Sequence, residues 1–172
     1  MRGLDGAGLW VSSNKKVGLA HRRLSIIDLT DAGRQPMAIG DGRLCVIFNG
    51  EIYHYQTLRL RLEERGCKFR SYSDTEVLLW LYLEKGQEMV HDLRGMYAFA
   101  IWDQEKQGLF LARDPFGIKP LYYADNGRAL RVASQVKALL KGSDVDTTAS
   151  PAGHAGFFLW GYGRCTGNGT AA

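Results

Sequence analysis

Apolar positions fall first in short runs divided by turn residues. Residues 17–20, 24–27 and 44–48 are apolar, brief and bounded by Gly, Asp or Asn, so they predict strands. The period then changes. Tyr55, Leu58 and Leu62 recur at helical spacing with Arg59, Arg61, Glu63 and Glu64 between them, and Gly66 stands where a helix C-terminal glycine belongs. That pattern predicts an exposed amphipathic helix. Ser73-Asp74-Thr75-Glu76 precedes the apolar run 77–83. Ser followed three residues later by Glu is a capping box, which favours a buried helix over a strand. A shorter helix is predicted around 88–93, ending by Gly95. Apolar segments 96–102, 109–112, 121–124 and 129–133 follow, joined by the polar stretch 103–108 and by Asp125-Asn126-Gly127. Both connections signal hairpins, and Asn-Gly is the stronger of the two. Residues 134–140 look helical. Hairpin groups with helices between them imply an α+β class in one domain.

Composition changes this picture little. The 172 residues are 45% hydrophobic and 23% charged, ordinary values for a folded chain. The longest apolar run is far short of the ~20 residues that span a bilayer, and the first six residues carry no secretory pattern. Twenty-two basic against 18 acidic residues give a net charge of +4. The charges are intermixed, which argues for a solvated surface over a nucleic-acid face. Cys45, Cys67 and Cys165 form no CxxC pair and leave an odd count, so a reduced, cytoplasmic setting is expected over a disulfide framework or zinc cluster. Cys45 sits in an apolar stretch and reads as a small core residue. Of 21 glycines, six lie within residues 153–169, where the composition shifts.

Phosphate-loop, dinucleotide and HExxH signatures are absent, and His21, His54, His91 and His154 lack metal-ligand spacing. Asn49-Gly50, at the end of an apolar strand, could aim a side-chain amide and a backbone N–H at one point, as an oxyanion hole requires. Spacing alone favours a turn there, because Asn-Gly suits positive φ. Arg23 could fork onto a carboxylate or simply lie on the surface. Asp74 opens a helix, where the free N–H groups stabilise a carboxylate; it could also hold an ammonium group, but helix-start chemistry alone explains it.

Longer motifs go further. His21-Arg22-Arg23-Leu24-Ser25-Ile26-Ile27-Asp28, Gln35-Pro36-Met37 and Phe48-Asn49-Gly50-Glu51-Ile52-Tyr53 occur in that order. Ser73-Asp74-Thr75-Glu76-Val77, Leu93-Arg94-Gly95-Met96-Tyr97-Ala98-Phe99-Ala100, Ala112-Arg113-Asp114-Pro115-Phe116-Gly117-Ile118-Lys119-Pro120-Leu121-Tyr122-Tyr123 and Ala133-Ser134-Gln135-Val136-Lys137-Ala138-Leu139 follow. Together they resemble the glutaminase domain of glutamine-hydrolysing asparagine synthetases, class II amidotransferases among the N-terminal nucleophile hydrolases. The resemblance covers residues 1–162; the Gly-rich tail 163–172 does not match.

The resemblance implies a four-layer αββα sandwich. It also implies that Arg23 binds the glutamine α-carboxylate, Asp74 the α-ammonium, Asn49 and Gly50 the oxyanion, while Glu51 helps fix the amine. The family's nucleophile is a cysteine directly after the initiator methionine, acting with its own α-amine. Position 2 here is Arg2, and residues 1–6 resemble an internal His-Arg-Gly-Pro-Asp-Gly segment, with Met for His and Leu for Pro. The first strand and the catalytic cysteine are therefore expected upstream of Met1. The chain as given is expected to bind glutamine weakly and not to hydrolyse it. No cofactor is expected in the chain; ATP and Mg are implied only for a synthetase domain, its partner in the parent protein. A non-catalytic glutamine-binding module and a gene fragment without independent function are the competing readings.

Overall fold

A computed structural model describes residues 6–23, 31–142 and 145–148. The backbone falls into two compact units, Met1–Pro120 and Leu121–Ala172. In the first, β1 (Gly6–Val11) and β2 (Gly18–Arg23) form an antiparallel pair. Strands β3 (Met37–Ile39), β4 (Leu44–Ile52), β5 (Gly95–Asp103) and β6 (Gly108–Arg113) form a second antiparallel sheet in that order. Two helices, α1 (Tyr55–Glu64) and α2 (Asp74–Lys85), then a 3₁₀ helix (Gly86–Asp92), connect β4 to β5.

Side-chain alternation gives the four-stranded sheet two buried faces. Leu44, Val46 and Phe48 of β4, with Tyr97, Phe99 and Ile101 of β5, pack with Leu58 and Leu62 of α1 and Val77, Leu78 and Leu81 of α2. On the other face, Cys45, Ile47, Trp102 and Leu109 meet Trp10 and Leu19 of the first pair and Val17 of the connection between its strands. Helix, sheet and sheet are thus stacked around two apolar layers, the α+β architecture of antiparallel sheets that the hairpin groups imply.

Helix α2 is buried nearly all round, which is why its sequence lacks an amphipathic stripe. Its capping box is rearranged. Ser73 Oγ accepts from Thr75 N–H at 3.2 Å, one residue earlier than the motif specifies. The Glu76 carboxylate reaches past the cap to the N–H groups of Arg70 and Ser71 and to the Ser71 hydroxyl at 2.6 Å. The helix foreseen at 88–93 is a 3₁₀ helix instead.

Beyond β6, the Asp114 carboxylate accepts N–H groups from Ile118 at 2.9 Å, Lys119 at 3.0 Å and Tyr97 at 3.3 Å. Arg113 Nε donates to Lys119 O at 2.7 Å. One buried acid thus organises the whole loop. Burial pushes the Asp114 carboxyl up, but the N–H groups of Lys119, Ile118, Tyr97 and Phe116 outweigh it and hold the group below its ordinary value.

The second unit contains the hairpin β7 (Tyr122–Asp125) and β8 (Leu130–Ala133), followed by α3 (Val136–Leu140). A hairpin forms where the Asn-Gly signal predicts one, but through a four-residue loop, Asp125 pairing with Leu130, instead of a two-residue turn. Asn126 Oδ1 accepts N–H groups from Arg128 and Ala129, and Gly127 has φ +77°. The predicted strand 24–27 and the tail 163–172 lie outside the described residues.

Candidate functional site

The open edge of β4 organises the candidate site. Strand β3 pairs only with the beginning of β4, its last partner being Val46. Past that point the edge has no strand neighbour among the described residues. Backbone N–H groups of an antiparallel strand alternate in direction. Tyr53 N–H donates to Arg94 O, on the β5 side, so the N–H groups of Phe48, Gly50 and Ile52 face the open edge. Phe48 N–H donates to Gln35 Oε1 at 2.6 Å and Ile52 N–H donates to Asp74 Oδ2 at 3.1 Å. Gly50 N–H lies between them, and among the described residues no side chain accepts from it. It is a donor at an open strand edge with both neighbours tied down.

Gly50 is not in a turn, contrary to what spacing alone favours. Asn49 and Gly50 continue the β4 ladder opposite Ala98 and Tyr97. The glycine is required by close approach rather than by positive φ: a Cβ there would stand 2.2 Å from Met96 O and 2.7 Å from Tyr97 Cα. Gly95 is pressed from the other side, where a Cβ would meet Glu51 O at 2.1 Å. At this point neither strand leaves room for a side chain on the other's glycine.

Asp74 is the first residue of α2 and only 3% exposed. Burial pushes its carboxyl up to about 6. The N–H groups of Ile52 and Thr75 and the Ser73 hydroxyl pull it back, while the charge of Glu51 pushes the same way as burial. A buried carboxylate near a second acid, at the end of an open strand, suits a cationic group.

Asn49, Gly50, Glu51 and Asp74 are thus gathered at one end of β4. Arg23 is the last residue of β2, paired with Gly6; its side chain lies outside the described residues. His21, two positions earlier, donates from Nε2 to Phe48 O at 3.1 Å and brings β2 to the same edge of β4. Both this histidine and Gln35 stand in motifs of the resemblance, but no role was read for either, because both act through contacts distant in sequence. Cys45 is fully buried, and burial pushes its thiol up to about 12. Burial also raises the Cys67 thiol, with Arg65 pulling it down. Neither is an activated thiolate, and Cys165 lies outside the described residues. Among the described residues no three His, Cys, Asp or Glu side chains gather as a metal site, and no helix is long and apolar enough to cross a membrane.

Residues 1–165 match a family described as a glutamine amidotransferase domain. Asparagine synthetase [glutamine-hydrolyzing] 3 of Bacillus subtilis is 39% identical over 171 residues, which is 98% of this chain and 27% of that protein. Asparagine synthetase B [glutamine-hydrolyzing] of Escherichia coli is 46% identical over 141 residues, covering 81% of this chain and 24% of its own length. The chain therefore spans about a quarter of the length of these relatives. Among solved structures, the glutamine phosphoribosylpyrophosphate amidotransferase from B. subtilis, complexed with ADP and GMP, is similar with a TM-score of 0.60 and 28% identity. That similarity covers 71% of this chain and 28% of the other.

Proposed function

Because the chain belongs to the glutamine amidotransferase domain family, in the form found in glutamine-hydrolysing asparagine synthetases, we propose that the open edge of β4 is its glutamine site. Gly50 N–H and the Asn49 side-chain amide receive the substrate's amide oxygen. Asp74, supported by Glu51, holds the α-ammonium, and Arg23 takes the α-carboxylate. The observation that carries this reading is the sequence of donors along β4: an uncommitted Gly50 N–H, then, two residues on, an Ile52 N–H held by buried Asp74. Two strand residues span about 6.6 Å. That length is commensurate with glutamine, whose amide carbon and ammonium nitrogen are four bonds apart.

Such an arrangement stabilises charge that develops on a carbonyl oxygen as a nucleophile attacks it. In the parent reaction the nucleophile is a cysteine thiolate: its sulfur bonds to the amide carbon, ammonia leaves, and water then hydrolyses the glutamyl thioester. Cys45 and Cys67 are not suited to that role, and position 2 is Arg2. Cys165, like Cys45 and Cys67, is internal and has no α-amine beside it, so a polypeptide of residues 1–172 is expected to bind glutamine without releasing ammonia from it. In a parent protein, the ammonia passes to a synthetase domain that uses ATP and Mg to amidate aspartate. The free cysteines Cys45 and Cys67 suit a reducing, cytoplasmic setting. Calorimetry with L-glutamine and an ammonia-release assay on the same sample test the reading. Heat of binding without ammonia is expected; ammonia above background overturns the missing-nucleophile part, and no heat at millimolar glutamine overturns the site.

A further inference from the structure

Gln35 belongs to none of the groups assigned to glutamine, yet it joins the two halves of their site. Its Oε1 accepts from Phe48 N–H at 2.6 Å, and its Nε2 donates to Thr75 Oγ1 at 3.2 Å. Phe48 immediately precedes Asn49 and Gly50; Thr75 immediately follows Asp74. One planar amide thus spans from the strand segment with the carbonyl donors to the helix start with the ammonium acceptor. Both partners are buried, Phe48 at 4% and Thr75 at 1% exposure, so either bond, once lost, leaves a polar group away from water.

The bridge is also held from behind. A Cβ on Gly8 of β1 would lie 2.0 Å from Gln35 O and 3.0 Å from Pro36 Cδ, so the Gln35 backbone is seated against β1. The His21–Phe48 O bond fixes the same strand residue through its carbonyl. Phe48 is therefore pinned at both backbone polar groups, its N–H by Gln35.

We infer that Gln35 is a positioning residue whose amide sets the distance between the Gly50 N–H and the Asp74 carboxylate, and so selects the length of the amino-acid amide bound. This rests on the glutamine reading of the β4 edge. A fixed spacing rejects L-asparagine, which is one methylene shorter, because its amide oxygen and ammonium cannot both be met. Loosening the bridge weakens glutamine binding and narrows the preference. A residue that only adds global stability lowers the unfolding midpoint and leaves the preference unchanged.

The experiment compares L-glutamine and L-asparagine binding to the full chain by calorimetry, for the unaltered protein and for Gln35→Met, Gln35→Glu and Thr75→Val. Gln35→Met has similar volume but no polar bridge, and is expected to weaken glutamine binding roughly tenfold and to narrow the glutamine-over-asparagine ratio several-fold. Gln35→Glu keeps an acceptor for Phe48 N–H and for a rotated Thr75 hydroxyl, and is expected to retain the ratio. An unchanged ratio in folded Gln35→Met overturns the positioning role while leaving the site intact. If that variant does not fold, Thr75→Val decides, an unaltered ratio again overturning the role. An unaltered chain that binds asparagine as well as glutamine overturns the length selection. One that binds no glutamine overturns the site itself, and the inference with it.

Discussion

Asp74→Asn should make the unliganded protein more stable at neutral pH while weakening the proposed glutamine site. The Asp74 carboxyl is raised from 3.8 to about 6, chiefly because ionisation is unfavourable where it sits. A group whose folded pKa lies above its unfolded value stabilises the fold only while protonated. Its contribution is complete below about 3.8 and lost as pH rises through about 6. At roughly 1.4 kcal/mol per pH unit, ionised Asp74 costs the folded state about 3 kcal/mol at pH 7.5 and about 1 kcal/mol at pH 4.5.

Asparagine keeps an acceptor for Ile52 N–H and carries no charge. The variant should therefore exceed the parent by about 3 kcal/mol at pH 7.5, or about 6–12 °C in Tm for a chain of this size, with the gap shrinking toward acid. Urea denaturation followed by tryptophan fluorescence at several pH values gives both curves, and subtraction removes the titrations they share. Glutamine affinity measured on the same samples should fall at least tenfold, since an ammonium loses its ionic partner. A gap that does not change with pH, or a variant less stable throughout, would refute the reasoning.

For the unaltered chain, glutamine binding should weaken about tenfold per pH unit below about 6 and level off above it, because the ammonium needs ionised Asp74; calorimetry across pH 4.5–8 reads this. Gly50→Ala should cost about 3 kcal/mol in urea denaturation, since its methyl would meet Met96 O and Tyr97 Cα. Asp114→Asn should lose about 1–3 kcal/mol and speed hydrogen exchange at Ile118 and Lys119. The Asp114 contribution is present above the ordinary carboxyl value and lost as pH falls through its own lower one. Native protein treated with iodoacetamide at pH 7.5 should show Cys67 alkylated before buried Cys45 by peptide mapping.

Much of the fold could be read from periodicity. The spacing of Tyr55, Leu58 and Leu62 located α1, and Ser73 with the apolar run located α2, because in both the local pattern and the tertiary burial agree. Strand β1 could not be found this way. Its glycines dilute the alternation, and Gly8 is there because β1 presses on the Gln35 backbone, a contact between distant segments. Strand β3, three residues long, has no period to detect.

The candidate site shows the same divide. Asn49-Gly50 carries a turn signal locally, and only the proximity of β5 explains why glycine stands in a strand. The raised carboxyl of Asp74 depends on burial and on Glu51, neither visible at a helix start. His21 and Gln35 each open a motif of the resemblance, but their contacts to Phe48, 27 and 13 residues away, run through its backbone groups and follow from no local pattern.

The proposed glutamine site turns on one contact, the Gly50 N–H donating to the amide oxygen of glutamine at the open edge of β4. A ¹⁵N-resolved NMR titration of the chain with L-glutamine tests it most directly. The Gly50 amide should shift most, with Ile52 and Asp74 following, and Gly127, in the second unit, should stay still. A Gly50 amide that does not move at millimolar glutamine, while other amides do, would contradict it.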